Sequence, residues 1–122
     1  MSSEPAAARP SFDTGLEPGA IDPERPRLVE TPWGVQALYR VGGEILCSQA
    51  FCPHLGGPLF QGTLSGATIT CPWHQWRFDL RSGERVDLAR PRRGPGSEPL
   101  RTCDVLLSSA GTLVLAHPQR HS

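Results

Sequence analysis

Two short segments, Cys52-Pro53-His54 and Cys71-Pro72-Trp73-His74, constrain the fold more than any other part of the sequence. Each segment offers one thiolate and one imidazole, and sixteen residues separate the two segments. The short spacing within each pair lets both side chains point from one tight loop toward one centre. The sequence therefore predicts two loops that meet at a single metal site.

The mixture of thiolate and imidazole narrows the choice of metal. When two imidazoles replace two thiolates on one iron of a [2Fe–2S] cluster, the cluster becomes less negative and its reduction potential rises. Tetrahedral zinc also accepts two thiolates and two imidazoles. The single residue between Cys52 and His54 is atypical of zinc modules, whose paired ligands are typically about two to five residues apart. We favour an iron–sulfur site and keep two alternatives, a zinc site and a metal-free domain of the same fold.

The segments around both ligand pairs resemble the Rieske family, in which Cys-x-His and Cys-x-x-His arms at this interval carry a [2Fe–2S] cluster. The resemblance covers about residues 27 to 116 and includes two further motifs, Gly56-Gly57-Pro58-Leu59 and Trp73-His74-Gln75-Trp76-Arg77-Phe78-Asp79. Both motifs are similar to those of soluble Rieske ferredoxins and of the Rieske domains of ring-hydroxylating oxygenases. A Rieske fold is implied, an all-β antiparallel sandwich with a small inserted cluster-binding subdomain.

The resemblance also implies the roles of the four candidate ligands. Cys52 and Cys71 correspond to the ligands of the buried iron, and His54 and His74 to those of the outer iron near solvent. One Rieske [2Fe–2S] cluster is the expected cofactor, and no catalytic residue is expected. The chain departs from the family at Gln75, where a glycine usually follows the second ligand histidine.

Four positions around the ligands bear on the reduction potential. High-potential family members carry a serine and a tyrosine whose hydroxyls donate to sulfur, and the matching positions here are Trp76 and Phe78. Respiratory members also carry a disulfide between the cluster loops, and Gly57 and Trp73 occupy its positions. None of these side chains can stabilise the added electron in the same way, so we expect a potential near the low end of the Rieske range.

Composition and length restrict the remaining possibilities. A chain of 122 residues suits one domain, without the separate iron-binding domain in which Rieske oxygenases carry out substrate chemistry. No apolar run is long enough to cross a bilayer and no signal peptide begins the chain, which predicts a cytoplasmic protein away from membranes. All twelve basic residues are arginine and the formal net charge is zero, which argues against a nucleic-acid partner.

Short apolar or alternating runs between turn signals predict an all-β domain. They are Arg27 to Thr31, Val35 to Val41, Glu44 to Ala50, Ala67 to Thr70, Trp76 to Leu80, Leu100 to Leu107 and Thr112 to Ala116. We divide the chain into a flexible leader over residues 1–26, a Rieske domain over 27–117 with a cluster-binding insert at about 48–85, and a tail over 118–122. Two further cysteines, Cys47 and Cys103, lie in strand-like runs and are expected to be packed thiols, a disulfide between them remaining open.

The expected function is electron transfer without substrate chemistry. A flavin- and NAD(P)H-dependent reductase would supply single electrons, and a terminal oxygenase or related oxidoreductase would accept them. Residues 51–76 contain no charged residue apart from histidine, so we expect a partner to dock near Pro53, Leu55, Pro72 and Trp73. The arginines of the following connector, Arg90, Arg92 and Arg93, could steer an acidic partner. The alternatives are a tightly bound small Rieske subunit of a larger oxidoreductase and a non-redox, metal-stabilised interaction or sensor module.

Overall fold

The computed structural model describes residues 9–53, 56–87 and 98–117. Within these ranges the chain forms nine short strands and two single 3-10 turns. The strands are β1 (Ser11–Asp13), β2 (Arg27–Thr31), β3 (Gly34–Val41), β4 (Glu44–Gln49), β5 (Thr63–Ser65), β6 (Thr68–Thr70), β7 (Arg77–Asp79), β8 (Thr102–Leu107) and β9 (Leu113–Ala116). The 3-10 turns cover Pro18–Ala20 and Leu59–Gln61.

The strands form two antiparallel sheets. A six-stranded sheet has the order β1-β9-β8-β4-β3-β2, and a three-stranded sheet has the order β5-β6-β7. The smaller sheet is inserted between β4 and β8 along the chain, and it lies within the predicted insert. The predicted all-β antiparallel fold with a small inserted subdomain is therefore confirmed. No helix in the described ranges is long and apolar enough to cross a membrane.

Seven of the nine strands lie where the residue pattern predicts them, and tight turns with glycine close the two hairpins β3–β4 and β8–β9. Gly42 and Gly43 join β3 to β4, where Val41 pairs with Glu44 and Gly42 has a φ of 61°. A side chain rarely adopts this left-handed backbone conformation, whereas glycine does so without steric cost. The second hairpin, β8 to β9, closes through Gly111, with a φ of 85°.

The central strand β3 is buried on both of its faces. Because side chains alternate along a strand, Ala37 and Tyr39 point into one apolar cluster and Leu38 points into another. The first cluster fills the space between the two sheets, and it includes Leu59, Ile69, Phe78, Leu80 and Leu100. The second cluster is formed mainly by the large sheet and the turn before β2, and it includes Ile21, Leu113 and Leu115.

The structure differs from the predicted flexible leader between residues 9 and 26. Strand β1 pairs with β9 in antiparallel register, with Phe12 opposite Leu115. Arg9 forms an ion pair with Asp104 of β8, and its guanidinium also donates to the carbonyl oxygen of His117 at 2.7 Å. This part of the chain therefore belongs to the large sheet, and prediction failed because three strand residues carry almost no local signal.

Cys47 and Cys103 are direct partners across the β4–β8 pair. Both are buried thiols, in agreement with the expectation from sequence. Burial, together with the neighbouring Cys103, raises the pKa of the Cys47 thiol well above its usual value. The Cys103 thiol donates to the side-chain oxygen of Gln36 at 3.5 Å. The connector arginines Arg90, Arg92 and Arg93 lie outside the described residues.

Candidate metal centre

The two cysteine loops share one pattern of backbone hydrogen bonds. The amide of Cys52 donates to the carbonyl oxygen of Gly57 at 2.7 Å, and the amide of Gly56 donates back to Cys52 at 2.9 Å. In the second loop, the amide of Cys71 donates to Trp76 at 2.7 Å, and the amide of Gln75 donates to Cys71 at 2.9 Å. Each cysteine therefore begins a turn that closes four and five residues later.

The matched loops explain the unusual residue Gln75. The residue four positions after each cysteine has a positive φ, 75° at Gly56 and 61° at Gln75. Such a conformation costs a residue with a β-carbon about 1–2 kcal/mol. A glycine would fit without this cost, so the family's preference at this position has a backbone cause, and Gln75 is held there despite its side chain.

The two cysteines are brought into one apolar environment. Cys52 and Cys71 are both buried, and both belong to the cluster between the two sheets. His74 is exposed. The fourth predicted ligand, His54, lies outside the described residues. Within the ranges that the structure describes, no three histidine, cysteine, aspartate or glutamate side chains come together as a metal site.

Trp73 packs across the two loops. A β-carbon placed on Gly57 would lie only 2.9 Å from Cδ2 of the Trp73 ring, and it would also lie within 3.1 Å of two further ring atoms. Gly57 is buried, whereas Trp73 is 57% exposed. The indole therefore covers the backbone of the first loop with one part and faces solvent with another.

The expected docking residues are only partly accessible. Pro72 and Trp73 are exposed, Pro53 is half-buried, and Leu55 lies outside the described residues. Sequence reasoning missed Phe51, which is 42% exposed immediately before Cys52 and packs edge-on against Phe60 at 5.7 Å. An aromatic residue next to a ligand was the available signal. Val86, also exposed, carries no such signal.

Arg85 contacts the aromatic ring of Trp76 in the second loop and forms an ion pair with Asp87. The Arg85 guanidinium lies 3.3 Å from the centroid of the Trp76 ring. Its Nε and Nη2 donate to the two carboxylate oxygens of Asp87 at 2.7 and 2.8 Å. These hydrogen bonds from Arg85 lower the pKa of Asp87. Asp87 also accepts a hydrogen bond from the amide of Arg77 at 3.2 Å, which ties the segment to β7.

The donors that the structure describes fit an iron–sulfur cluster. Two thiols at equivalent positions of two matched loops lie in one apolar cluster, and an imidazole near the second thiol reaches the surface. Thiolate ligands in an apolar setting with imidazole ligands toward solvent are the donor chemistry of a mixed cysteine and histidine [2Fe–2S] centre. Fold and site together define an iron–sulfur domain built on antiparallel sheets.

Comparison with known proteins agrees with this class. The sequence profile of the Rieske [2Fe-2S] domain matches residues 17–104. The chain belongs to this family, and family membership implies one Rieske [2Fe–2S] cluster as its cofactor. Apoptosis-inducing factor 3 of Homo sapiens is 33% identical over 93 residues, which cover 76% of this chain and 14% of that protein. This chain therefore spans only a small part of that curated relative.

Solved structures show the same fold over nearly the whole chain. A chain in the complex of reduced oxygenase and oxidized ferredoxin in carbazole 1,9a-dioxygenase matches with a TM-score of 0.72 and 24% identity, covering 92% of this chain and 97% of that one. The ferredoxin of carbazole 1,9a-dioxygenase from Nocardioides aromaticivorans IC177 matches with a TM-score of 0.71 and 24% identity, covering 89% and 98%.

Proposed function

We propose that this chain is a Rieske-type ferredoxin, an electron carrier without catalytic residues of its own. It takes single electrons from a flavin- and NAD(P)H-dependent reductase and passes them to a terminal oxygenase or related oxidoreductase. The observation that carries the proposal is the pair of matched loops, which bury Cys52 and Cys71 in one apolar cluster and leave His74 exposed. The likeness in fold to a ferredoxin of a dioxygenase supports it.

We assign the four cluster ligands as Cys52, His54, Cys71 and His74. When bound, the cluster supplies one-electron storage. The protein positions the cysteines through the backbone hydrogen bonds of the two loops and excludes water from them by the packing around Leu59, Ile69 and Phe78. We place the domain over residues 9–117, which adds β1 and the 3-10 turn Pro18–Ala20 to the predicted 27–117, with the cluster-binding insert at about 48–85 and the tail over 118–122.

The surface near the loops supports weak, transient docking. Trp73 and Pro72 are exposed next to His74, and Phe51 is exposed beside the first loop. Residues 51–76 contain no aspartate, glutamate, lysine or arginine. Electron-transfer complexes usually bury little area, and an apolar, uncharged patch suits a short-lived contact. We place the docking site at Pro53, Leu55, Pro72 and Trp73. We propose a cytoplasmic carrier because the two cysteines outside the ligand set, Cys47 and Cys103, are reduced thiols, which fit a reducing compartment.

A second candidate is a Rieske unit that works as a fixed relay within a larger oxidoreductase. The match covers only 14% of the human relative, so in that protein the similar segment is part of a much longer chain. This observation favours the second candidate. The segment before β2 does not favour it, because residues 11–13 pair within the chain's own sheet. A third candidate is a non-redox module held together by its metal.

The decisive experiment combines metal analysis with electron transfer. We expect two irons and two acid-labile sulfides per chain, an axial electron paramagnetic resonance signal with low average g after reduction, and reoxidation by an oxygenase. One zinc without sulfide would contradict the cluster assignment. A cluster that is reduced and reoxidised only within an isolated stable complex would favour the fixed relay, and a cluster that no reductase reduces would favour the non-redox module.

A further inference from the structure

Arg85 and Asp87 form an ion pair, and Arg85 contacts Trp76 of the second cysteine loop. Neither residue is one of the four proposed ligands. We propose that this pair sets the reduction potential of the cluster, with Arg85 raising it and Asp87 limiting that increase. The inference rests on the proposed function only for the position of the cluster at Cys71.

Arg85 is connected to the ligand loop through Trp76. The Arg85 guanidinium lies 3.3 Å from the centroid of the Trp76 ring, and the carbonyl oxygen of Trp76 accepts the amide hydrogen of Cys71 at 2.7 Å. A fixed positive charge is thus held one side chain away from the loop of a proposed ligand. An added electron makes the cluster more negative, and a nearby positive charge stabilises that state by Coulomb attraction.

Partial burial makes this charge more effective than that of the exposed arginine Arg81. The side chains of Arg85 and Asp87 are 16% and 17% exposed. By contrast, the ion pair between Arg81 and Glu44 has side chains that are 55% and 51% exposed. Salt and water screen exposed charges strongly and buried charges much less. Arg85 therefore acts on its surroundings in a way that Arg81 cannot.

The guanidinium is held in place on two sides. Nε and Nη2 are bound by both carboxylate oxygens of Asp87, whereas Nη1 is buried and has no hydrogen-bond partner in the part of the chain described. The electron-rich face of the Trp76 indole supplies the second electrostatic contact, as in other cation–π pairs. Arg85 is therefore a positioning residue with a fixed charge.

Asp87 opposes the effect of Arg85 because its carboxylate brings a negative charge to the same place. Its pKa is lowered by the Arg85 hydrogen bonds, so it is ionised at neutral pH. Loss of Arg85 leaves an unbalanced negative charge near the cluster, and loss of the Asp87 charge leaves an unbalanced positive one. The two substitutions must shift the potential in opposite directions.

The test is a redox titration of cluster-loaded variants. Arg85→Met keeps an unbranched side chain beside the indole, although it ends one atom short of the guanidinium carbon, and it removes the charge, so the midpoint potential becomes more negative. Asp87→Asn keeps an oxygen that accepts from the Arg77 amide and removes the charge, so the potential becomes more positive. The midpoint potential of the double variant lies between those of the two single variants. Arg81→Met is the matched control, since it removes the same charge from an exposed pair, and its potential at high salt stays at the wild-type value.

A purely structural role would loosen the second loop in both variants and move both potentials the same way. The proposal would be overturned if both variants shifted the potential in the same direction, or if neither shift were larger than that of Arg81→Met. If the Arg85→Met variant takes up no cluster, the potential of the Asp87→Asn variant alone tests the proposal. An unchanged or more negative potential in the Asp87→Asn variant rejects the proposal. A wild-type protein without a Rieske resonance signal would instead refute the proposed function. If the protein delivers electrons normally but the substitutions at Arg85 and Asp87 leave its reduction potential unchanged, only this inference is refuted.

Discussion

The indole of Trp73 lies directly on the backbone of Gly57, so closely that a β-carbon at Gly57 would lie 2.9 Å from Cδ2 of the ring. These two residues occupy the positions at which respiratory relatives, by the resemblance drawn from the sequence, carry a disulfide between the cluster loops. Here a packing contact joins the loops where those relatives have a covalent bond. Shape complementarity between a glycine and an aromatic ring is therefore part of how the loops are held together.

Adding a methyl group at Gly57 is expected to destabilise the protein. Gly57→Ala forces the Trp73 ring away from the first loop, and overpacking of this kind typically costs about 1–3 kcal/mol. The measurement is the free energy of unfolding by denaturant. Gly43→Ala is the control, because its β-carbon meets nothing within 4 Å, and it should change stability by less than about 0.5 kcal/mol. A Trp73→Ala substitution added to Gly57→Ala should relieve part of the cost. Equal losses in the Gly57 and Gly43 variants would contradict the contact.

Equivalent positions of the two loops should respond to substitution with opposite signs. Gln75→Gly removes a side chain from a backbone with a φ of 61° and should stabilise the protein by about 1 kcal/mol or less. Gly56→Ala adds a β-carbon at a φ of 75°, where no atom lies within 4 Å, and should destabilise it by about 1 kcal/mol from backbone strain alone. Thermal unfolding of both variants checks this, and a destabilised Gln75→Gly variant would show that the side chain contributes more than the backbone strain costs.

Replacing any proposed ligand should remove the cluster. Cys52→Ser, Cys71→Ser, His54→Ala and His74→Ala are each expected to lose the characteristic Rieske spectrum, because four ligands hold the two irons. Iron and sulfide content, together with electron paramagnetic resonance, provide the measurement. His117→Ala is the control, since His117 packs edge-on against Trp33 at 5.2 Å in the other part of the structure. A normal spectrum in any ligand variant would reject that residue's assignment.

The reduction potential is expected near the low end of the Rieske range, which extends from about −150 to +300 mV. Phe78 is fully buried in the cluster of side chains that contains both proposed cysteine ligands, and it has no hydroxyl to donate to sulfur. The other matching position carries Trp76, whose ring contacts Arg85. Redox titration at neutral pH measures the value. A midpoint above about +100 mV would show that other groups stabilise the reduced state.

The thiol of Cys47 should resist alkylation at pH 8. Its pKa is raised by burial, so the reactive thiolate is disfavoured in the folded protein. A raised pKa stabilises the fold fully below the unfolded value of about 8.5, and this contribution is lost as pH rises toward the folded pKa. Iodoacetamide labelling read by mass spectrometry should modify Cys47 only after denaturation. In addition, stability should fall less steeply above about pH 8.5 in Cys47→Ala than in the wild type.

Residue chemistry and local pattern were sufficient to predict much of the architecture. The alternation of apolar residues located β2, β3, β4, β8 and β9 to within one or two residues, because turn residues bound each apolar run. The spacing of cysteine and histidine located both loops, because ligand types and short spacings are written directly in the chain. Pro72 and Trp73, two of the four residues at which we expect docking, are exposed.

By itself, the sequence determined the all-β class of fold and the approximate bounds of the main strands, and it named the four proposed ligands, since each of these follows from neighbouring residues. Only the tertiary structure decided which distant residues meet. The pairing of β1 with β9 joins segments about one hundred residues apart, and three residues carry too weak a signal to predict it. The contact of Trp73 with Gly57, the positive φ of Gln75 and the placement of Arg85 on Trp76 likewise arise from loop closure and packing. Such contacts depend on how the whole chain folds back on itself, which local propensity does not encode.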